Sequence, residues 1–204
     1  NKKKLTMEAI HLEQNILKET VGLQDQIQCS YGGFNIINID TSGEFNVLTL
    51  SKYNTIISEI EKHLVLVYSN IERISSKQQN KNQDAKTIYA HQKASQKIHE
   101  IAKISERLFL KNEMTMPILS EFLRESWEAK CNMLAKTEIN CILSLIYDKA
   151  INSGAECGKL MGAGGGGFFL FLVKPEIKAQ FIKKMEPYIC VEPKICHEGV
   201  SSIL

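Results

Sequence analysis

The sequence predicts an α+β fold, a small antiparallel sheet with helices layered on one side. Three observations predict it. Short apolar runs bounded by turn residues read as strands at Phe34–Ile39, Phe45–Leu50 and Leu64–Tyr68. Three consecutive stretches then carry helical apolar spacing, at 84–112, 117–136 and 139–153. The last part of the chain returns to a strand, turn and helix order around a turn of unusual glycine content.

Taken in order, residues 1–17 carry Leu5, Ala9, Leu12 and Ile16 on one helical stripe, expected to face a core, with no capping box ahead of it. Glu13 lies at the edge of that stripe, in the row Ala9, Glu13, Ile16. A segment GLQDQ follows, with Asp25 between two amides and Gly32-Gly33 beyond; it reads as a loop, and Asp25 there is either an ordinary cap or turn residue or part of a site. The two strands at 34–39 and 45–50 are joined by a turn at 40–43, and a polar helix over 54–62 leads to the apolar strand at 64–68. Residues 69–83 are polar and lysine-rich, with almost no apolar period, and read as a mobile loop.

The long helical stretches carry Ile88, Ile98, Ile101 and Leu108; then Leu119, Phe122, Leu123, Trp127 and Leu134; then Ile142, Leu143, Ile146 and Ala150. Pro117 suits a first helical turn and Gly154 a helix stop. After the glycine-rich element come a helix over 175–185 and strand-like runs at 189–196 and 199–204.

Charge and composition exclude several classes. The net charge of +2 gives no reason to expect nucleic acid or an anionic membrane as partner. No apolar run approaches a bilayer span, and no signal-peptide pattern is present. The six cysteines have no CxxC spacing and read as reduced thiols of a cytoplasmic protein, and no histidine cluster has metal spacing. The start has no initiator methionine, and the chain reads as a piece of something longer.

The glycine element, CGKLMGAGGGGFFLFLV over 157–173, holds six of the chain's twelve glycines, four of them consecutive. An ordinary hairpin is satisfied by one or two, and each glycine costs up to about 1 kcal/mol of chain entropy relative to alanine. Backbone without Cβ atoms can turn successive N–H groups toward one anion. The element lacks the GxxxxGK[ST] pattern, and Lys159 precedes the glycines. A phosphate cradle and a tight structural turn both remain open on the residues alone.

These stretches resemble the GHMP kinases, the superfamily of galacto-, homoserine, mevalonate and phosphomevalonate kinases. CGKLMGAGGGGFFLFLV is similar to their third motif, and GLQDQ followed by SYGGFN to the segment that carries the catalytic aspartate of the sugar-kinase branch. LVLVYSNIERIS and SWEAKCNMLAKTEI resemble the bacterial D-glycero-D-manno-heptose 7-phosphate kinases. The likeness runs in order over nearly the whole chain.

The resemblance implies the end of an S5-like N-terminal domain over 1–60 and a C-terminal GHMP domain, a ferredoxin-like sheet with helices, over 61–204. It implies ATP and Mg²⁺ as cofactors and a sugar phosphate as acceptor, and it leaves a homo-oligomer open. By the same resemblance Asp25 orients or deprotonates the attacking hydroxyl, and Glu13, twelve positions earlier, binds Mg²⁺. Gly162, Ala163, Gly164, Gly165, Gly166 and Gly167 close over the transferring phosphate, with Gln24, Gln26, Gly32 and Gly33 beside the substrate. Two carboxylates serving one centre are expected to lie close together with a cation between them. The family's first motif, the ATP phosphate loop, is absent, so this chain by itself is expected not to turn over. Ile27, Gln28 and Cys29 depart from the aromatic or small residues usual in the heptose branch, which bears on the sugar. A fucokinase-like or galactokinase-like enzyme of an unphosphorylated sugar, and a binding-only protein of the same fold, stand as alternatives; retention of both Glu13 and Asp25 argues against the second.

Overall fold

The computed structural model describes residues 1–19, 21–50, 54–71, 85–133, 138–162 and 166–201. The chain forms two compact units, Asn1–Ser58 together with the stretch from Lys194, and Glu59–Pro193. The C-terminal stretch, assigned on the sequence to the second domain, thus lies with the first unit.

The first unit begins with α1 (Lys2–Ile10), whose cap is the Asn1 side chain accepting from the Lys3 N–H at 3.0 Å. The helix widens without a break into a π-helical turn (His11–Ile16), where the Leu17 N–H reaches back to Leu12 O. The expected inward stripe is corrected here: Leu5, Leu12 and Ile16 are 37%, 49% and 60% exposed, whereas Thr6 is fully buried. α1 turns to its neighbour the row of Thr6, Ile10 and Glu13, one helical face, and the contact is made with α2 (Gln24–Tyr31). α2 buries Gln26, Ile27 and Ser30, and the Lys2 ammonium donates to Tyr31 O at 2.6 Å at its C-terminal end, where a cation suits the helix dipole.

β1 (Phe34–Ile39) and β2 (Phe45–Leu50) then form an antiparallel hairpin with Phe34 opposite Leu50 and Ile39 opposite Phe45, as the sequence predicts. Its turn is tied by the Asp40 carboxylate, which accepts from the Ser42 N–H and hydroxyl and from the Glu44 N–H; these bonds, the Ser42 hydroxyl first, hold its pKa below the ordinary value.

In the second unit the sheet order is β4-β5-β3-β6, every pairing antiparallel. α3 (Thr55–His63) runs into β3 (Leu64–Tyr68), and β5 (Phe168–Val173) lies beside β3 with Val65 opposite Phe171 and Val67 opposite Phe169. One sheet face supplies Val65, Val67, Leu160, Phe169, Phe171 and Val173 to the core. Three helices cover that face: α5 (Met116–Met133) through Trp127, α6 (Glu138–Ser153) through Leu143, Ile146 and Ala150, and α7 (Lys178–Met185) through Phe181 and Met185. Trp127 stacks on Tyr147 with ring centroids 5.0 Å apart and meets Phe169 edge-on. A fully buried side chain of this size stabilises by about 1.5–3 kcal/mol. α4 (Ala85–Leu110) pairs with α5 as a helical hairpin.

Two strands differ from the sequence reading. β4 (Ala155–Leu160) was not foreseen because its sequence, AECGKL, alternates core and polar residues around a bulge between Ala155 and Cys157. β6 is only Cys190–Val191, not the whole of 189–196, since from Lys194 the chain belongs to the first unit; no strand forms over 199–201. Gly154, with φ +118°, ends α6 as expected. The loop expected over 69–83 lies mostly outside the described residues. Among those described, no helix is long and apolar enough to cross a membrane.

Candidate active site

In the first unit Gln24, Asp25 and Gln26 lie in the first turn of α2 with Glu13 joined to it, whereas Gly32 and Gly33 lie at the other end of the helix. Asp25 is in the first turn of this helix, not in a loop, and is exposed, as is Gln24. A carboxylate in a first turn is favoured by the dipole of the helix end. Gln26 points the other way and is 8% exposed. Its Nε2 donates to Glu13 Oε2, so the π-helical turn carrying Glu13 is joined to the first turn of α2 beside Asp25. The widened turn has a local role in this: Gln14 Nε2 donates to Val21 O at 2.9 Å, fastening the connection between the two helices.

One polar atom in this cluster is unpaired. Gln26 Oε1 is buried and has no hydrogen-bond donor among the described residues. Leaving a buried acceptor unmade costs about 1–3 kcal/mol, which makes it the exception at the site.

Gly32 and Gly33 sit at the opposite end of α2 from Gln24 and Asp25, seven residues or about 10 Å along a helix axis. Gly32 has φ +65°, and a Cβ there would strike the backbone of Glu198 and Gly199. The Gly33 N–H donates to Cys196 O at 2.7 Å and the Val200 N–H to Cys29 O at 3.0 Å. Gln28 Nε2 donates to Gly33 O, and Asn35 Nδ2 donates both to Gln28 Oε1 and to Gly32 O. This network holds α2 against β1 and the C-terminal stretch. On the sequence alone Gln28 stands out only as a departure from the heptose branch.

In the second unit the glycine turn joins β4 to β5. Of its six predicted residues Gly162, Gly166 and Gly167 are described; Ala163, Gly164 and Gly165 lie outside the described residues. The turn is anchored on both sides. Met161 N–H donates to Phe168 O at 2.8 Å, Gly167 N–H to Ile71 O at 3.1 Å, and the Ser69 N–H to Gly167 O at 2.9 Å. Gly166, with φ +139°, lies so close to Ile71 O that no side chain fits. From α5, the Lys130 ammonium donates to Leu160 O at 3.2 Å and to Gly162 O at 2.9 Å. Lys130 was matched within a resembling stretch but not singled out, because a lysine on a helix reads as a solvated charge until its partners are seen. Lys159 pairs with Leu170 across β4 and β5, on the sheet face opposite Leu160 and Phe169, and burial lowers its pKa.

No protein-family model matches the chain. Among curated proteins it is 34% identical over 181 residues to the D-glycero-alpha-D-manno-heptose 7-phosphate kinase of Campylobacter jejuni, covering 87% of this chain and 51% of that protein. The chain thus spans about half the length of this relative. Among solved structures, a D-glycero-D-manno-heptose 1-phosphate kinase from Bacteroides thetaiotaomicron matches with a TM-score of 0.71 at 22% identity, over 98% of this chain and 54% of that one. A putative sugar kinase from Campylobacter jejuni matches with a TM-score of 0.62 at 27% identity, over 98% and 56%. A mevalonate kinase shares the fold at a TM-score of 0.61 and 20% identity, over 94% and 56%. With the glycine turn between antiparallel strands, the chain is similar in sequence and fold to these kinases of the GHMP superfamily.

Proposed function

We propose that this chain is part of an ATP-dependent sugar kinase that transfers the γ-phosphate to a hydroxyl of a sugar phosphate, with D-glycero-D-manno-heptose 7-phosphate as the acceptor. The observation that carries the reading is an exposed Asp25 at the start of α2, one residue from the Gln26 tied to Glu13, in a chain 34% identical to a heptose 7-phosphate kinase. In this reading the Asp25 carboxylate takes the proton of the acceptor hydroxyl as its oxygen forms a bond to the γ-phosphorus. The bond from that phosphorus to the bridging oxygen breaks, and ADP leaves with the electron pair. Gln24 lies beside Asp25 and serves the acceptor, and α2 is held by the Gly32, Gly33 and Gln28 network. The backbone of the glycine turn, 162–167, opposes the charge that develops on the phosphoryl oxygens.

Among the described residues no three His, Cys, Asp or Glu side chains gather as a metal centre. A Mg²⁺ ion bound chiefly through nucleotide phosphates needs only one or two carboxylates from protein, so the fit rests on Glu13. The unpaired Gln26 Oε1 next to that carboxylate agrees with it: both are acceptors in want of a positive partner. Bound there, Mg²⁺ would neutralise phosphate charge.

The test is a substrate panel on the full-length protein, with ADP release measured for heptose 7-phosphate, heptose 1-phosphate, galactose and fucose. The expected result is a kcat/KM for heptose 7-phosphate at least about tenfold above the others, which one charged contact can supply. Preference for an unphosphorylated sugar contradicts the reading.

A further inference from the structure

Gln26 does more than fill space under the site. Its Nε2–H donates to Glu13 Oε2, which also fixes the sense of the amide: turned over, it would set an oxygen against a carboxylate. Oε1 is therefore held in one place, buried and without a donor among the described residues. If the only task were to hold Glu13, the remaining oxygen would be a standing liability in a residue 8% exposed. Two acceptor groups on adjoining side chains, one of them charged, select a ligand that brings positive charge and O–H donors together. A hydrated divalent cation has both, and Mg²⁺ characteristically keeps several of its waters when protein binds it.

We propose that Gln26 is a positioning residue of a divalent-cation site, its Nε2–H orienting the Glu13 carboxylate and its Oε1 accepting from the cation's water shell. The identity of the ion rests on the kinase reading; the pairing of the two side chains does not. This is the way outer partners orient ligands in metal sites generally, where their loss weakens metal binding about 10–100-fold.

The experiment uses Mn²⁺ with ADP as probe on the full-length protein, with affinity read from electron paramagnetic resonance and placement from broadening of the Gln26 side-chain amide in NMR spectra. Gln26→Met removes both polar atoms at similar length, and Gln26→Glu restores acceptors without the donor; circular dichroism checks that both fold. Broadening at Gln26, an affinity about tenfold weaker in Gln26→Met, and a smaller loss in Gln26→Glu, which keeps acceptors but lacks the donor, support the proposal. No broadening in the wild-type chain, or an unchanged Mn²⁺ affinity in Gln26→Met, overturns it, and would leave Oε1 to a ligand hydroxyl. Equal losses in both variants would make the role one of packing and also overturn it. None of these readings needs phosphoryl transfer, so a failed substrate panel with an intact Mn²⁺ response removes the kinase reading alone.

Discussion

Lys159 carries a charge into a place where burial lowers its pKa, on a strand that leads directly to the glycine turn. The sign of its contribution follows. Between the lowered folded pKa and the ordinary value of 10.5 the unfolded chain binds the proton and the folded chain does not, so stability rises with pH through that window. Lys159→Met, which keeps the apolar stem, should therefore be more stable than the wild type at pH 7, and the difference should shrink by pH 10. Urea denaturation at the two values measures it; a destabilised variant at pH 7, or a difference independent of pH, would contradict the electrostatic account. Residue by residue, the sequence was most informative where one chemistry was unambiguous. Asp25 was legible as a site candidate, but its place in a first turn was not, because QDQIQCSY has little apolar period. The glycines at 32 and 33 were legible as glycines, while their close approach to residues 196–199 depends on contacts with a distant part of the chain. Gln26 was read as lying beside substrate, and nothing in a sequence reveals that an amide will meet a particular carboxylate.

At the scale of elements, the strands β1, β2 and β3 were legible to the residue because each is a short apolar run rich in β-branched or aromatic residues with turn residues at one end or both. β4 was hidden by its glycine, its bulge and two charged residues, although Gly158 is what leaves room for the Phe171 ring. The stripe on α1 misled for a different reason. Leu5, Leu12 and Ile16 have the right spacing for a buried face, yet the face that meets α2 is the one holding Thr6 and Glu13. The glycine turn gives a prediction at this scale. Lys130 joins α5 to the two carbonyls at the entry of the turn, through charge-assisted bonds that typically contribute about 1.5–3 kcal/mol, less where water competes. Lys130→Met should speed hydrogen exchange at the Met161 and Gly167 amides and lower stability by about 1–2 kcal/mol, with partial recovery in Lys130→Arg. Exchange rates equal to wild type would mean that the strands hold the turn without it.

At the scale of the molecule, the α+β class was legible from the order of elements, and the sheet with helices on one face follows from it. The return of the C-terminal stretch to the first unit was not, since residues 194–201 contain no strand long enough to declare a partner. The proposed site residues belong to two units: Glu13, Gln26 and Asp25 to the first, the described part of the glycine turn and Lys130 to the second. The central claim is that the first group does the proton chemistry. Steady-state kinetics of Asp25→Asn in the full-length protein, with ATP and heptose 7-phosphate varied separately, tests it most directly. The account predicts a kcat lower by about 10²–10⁴-fold, the usual worth of a positioned general base, with both KM values within about twofold of wild type. A kcat close to that of the wild type would contradict it.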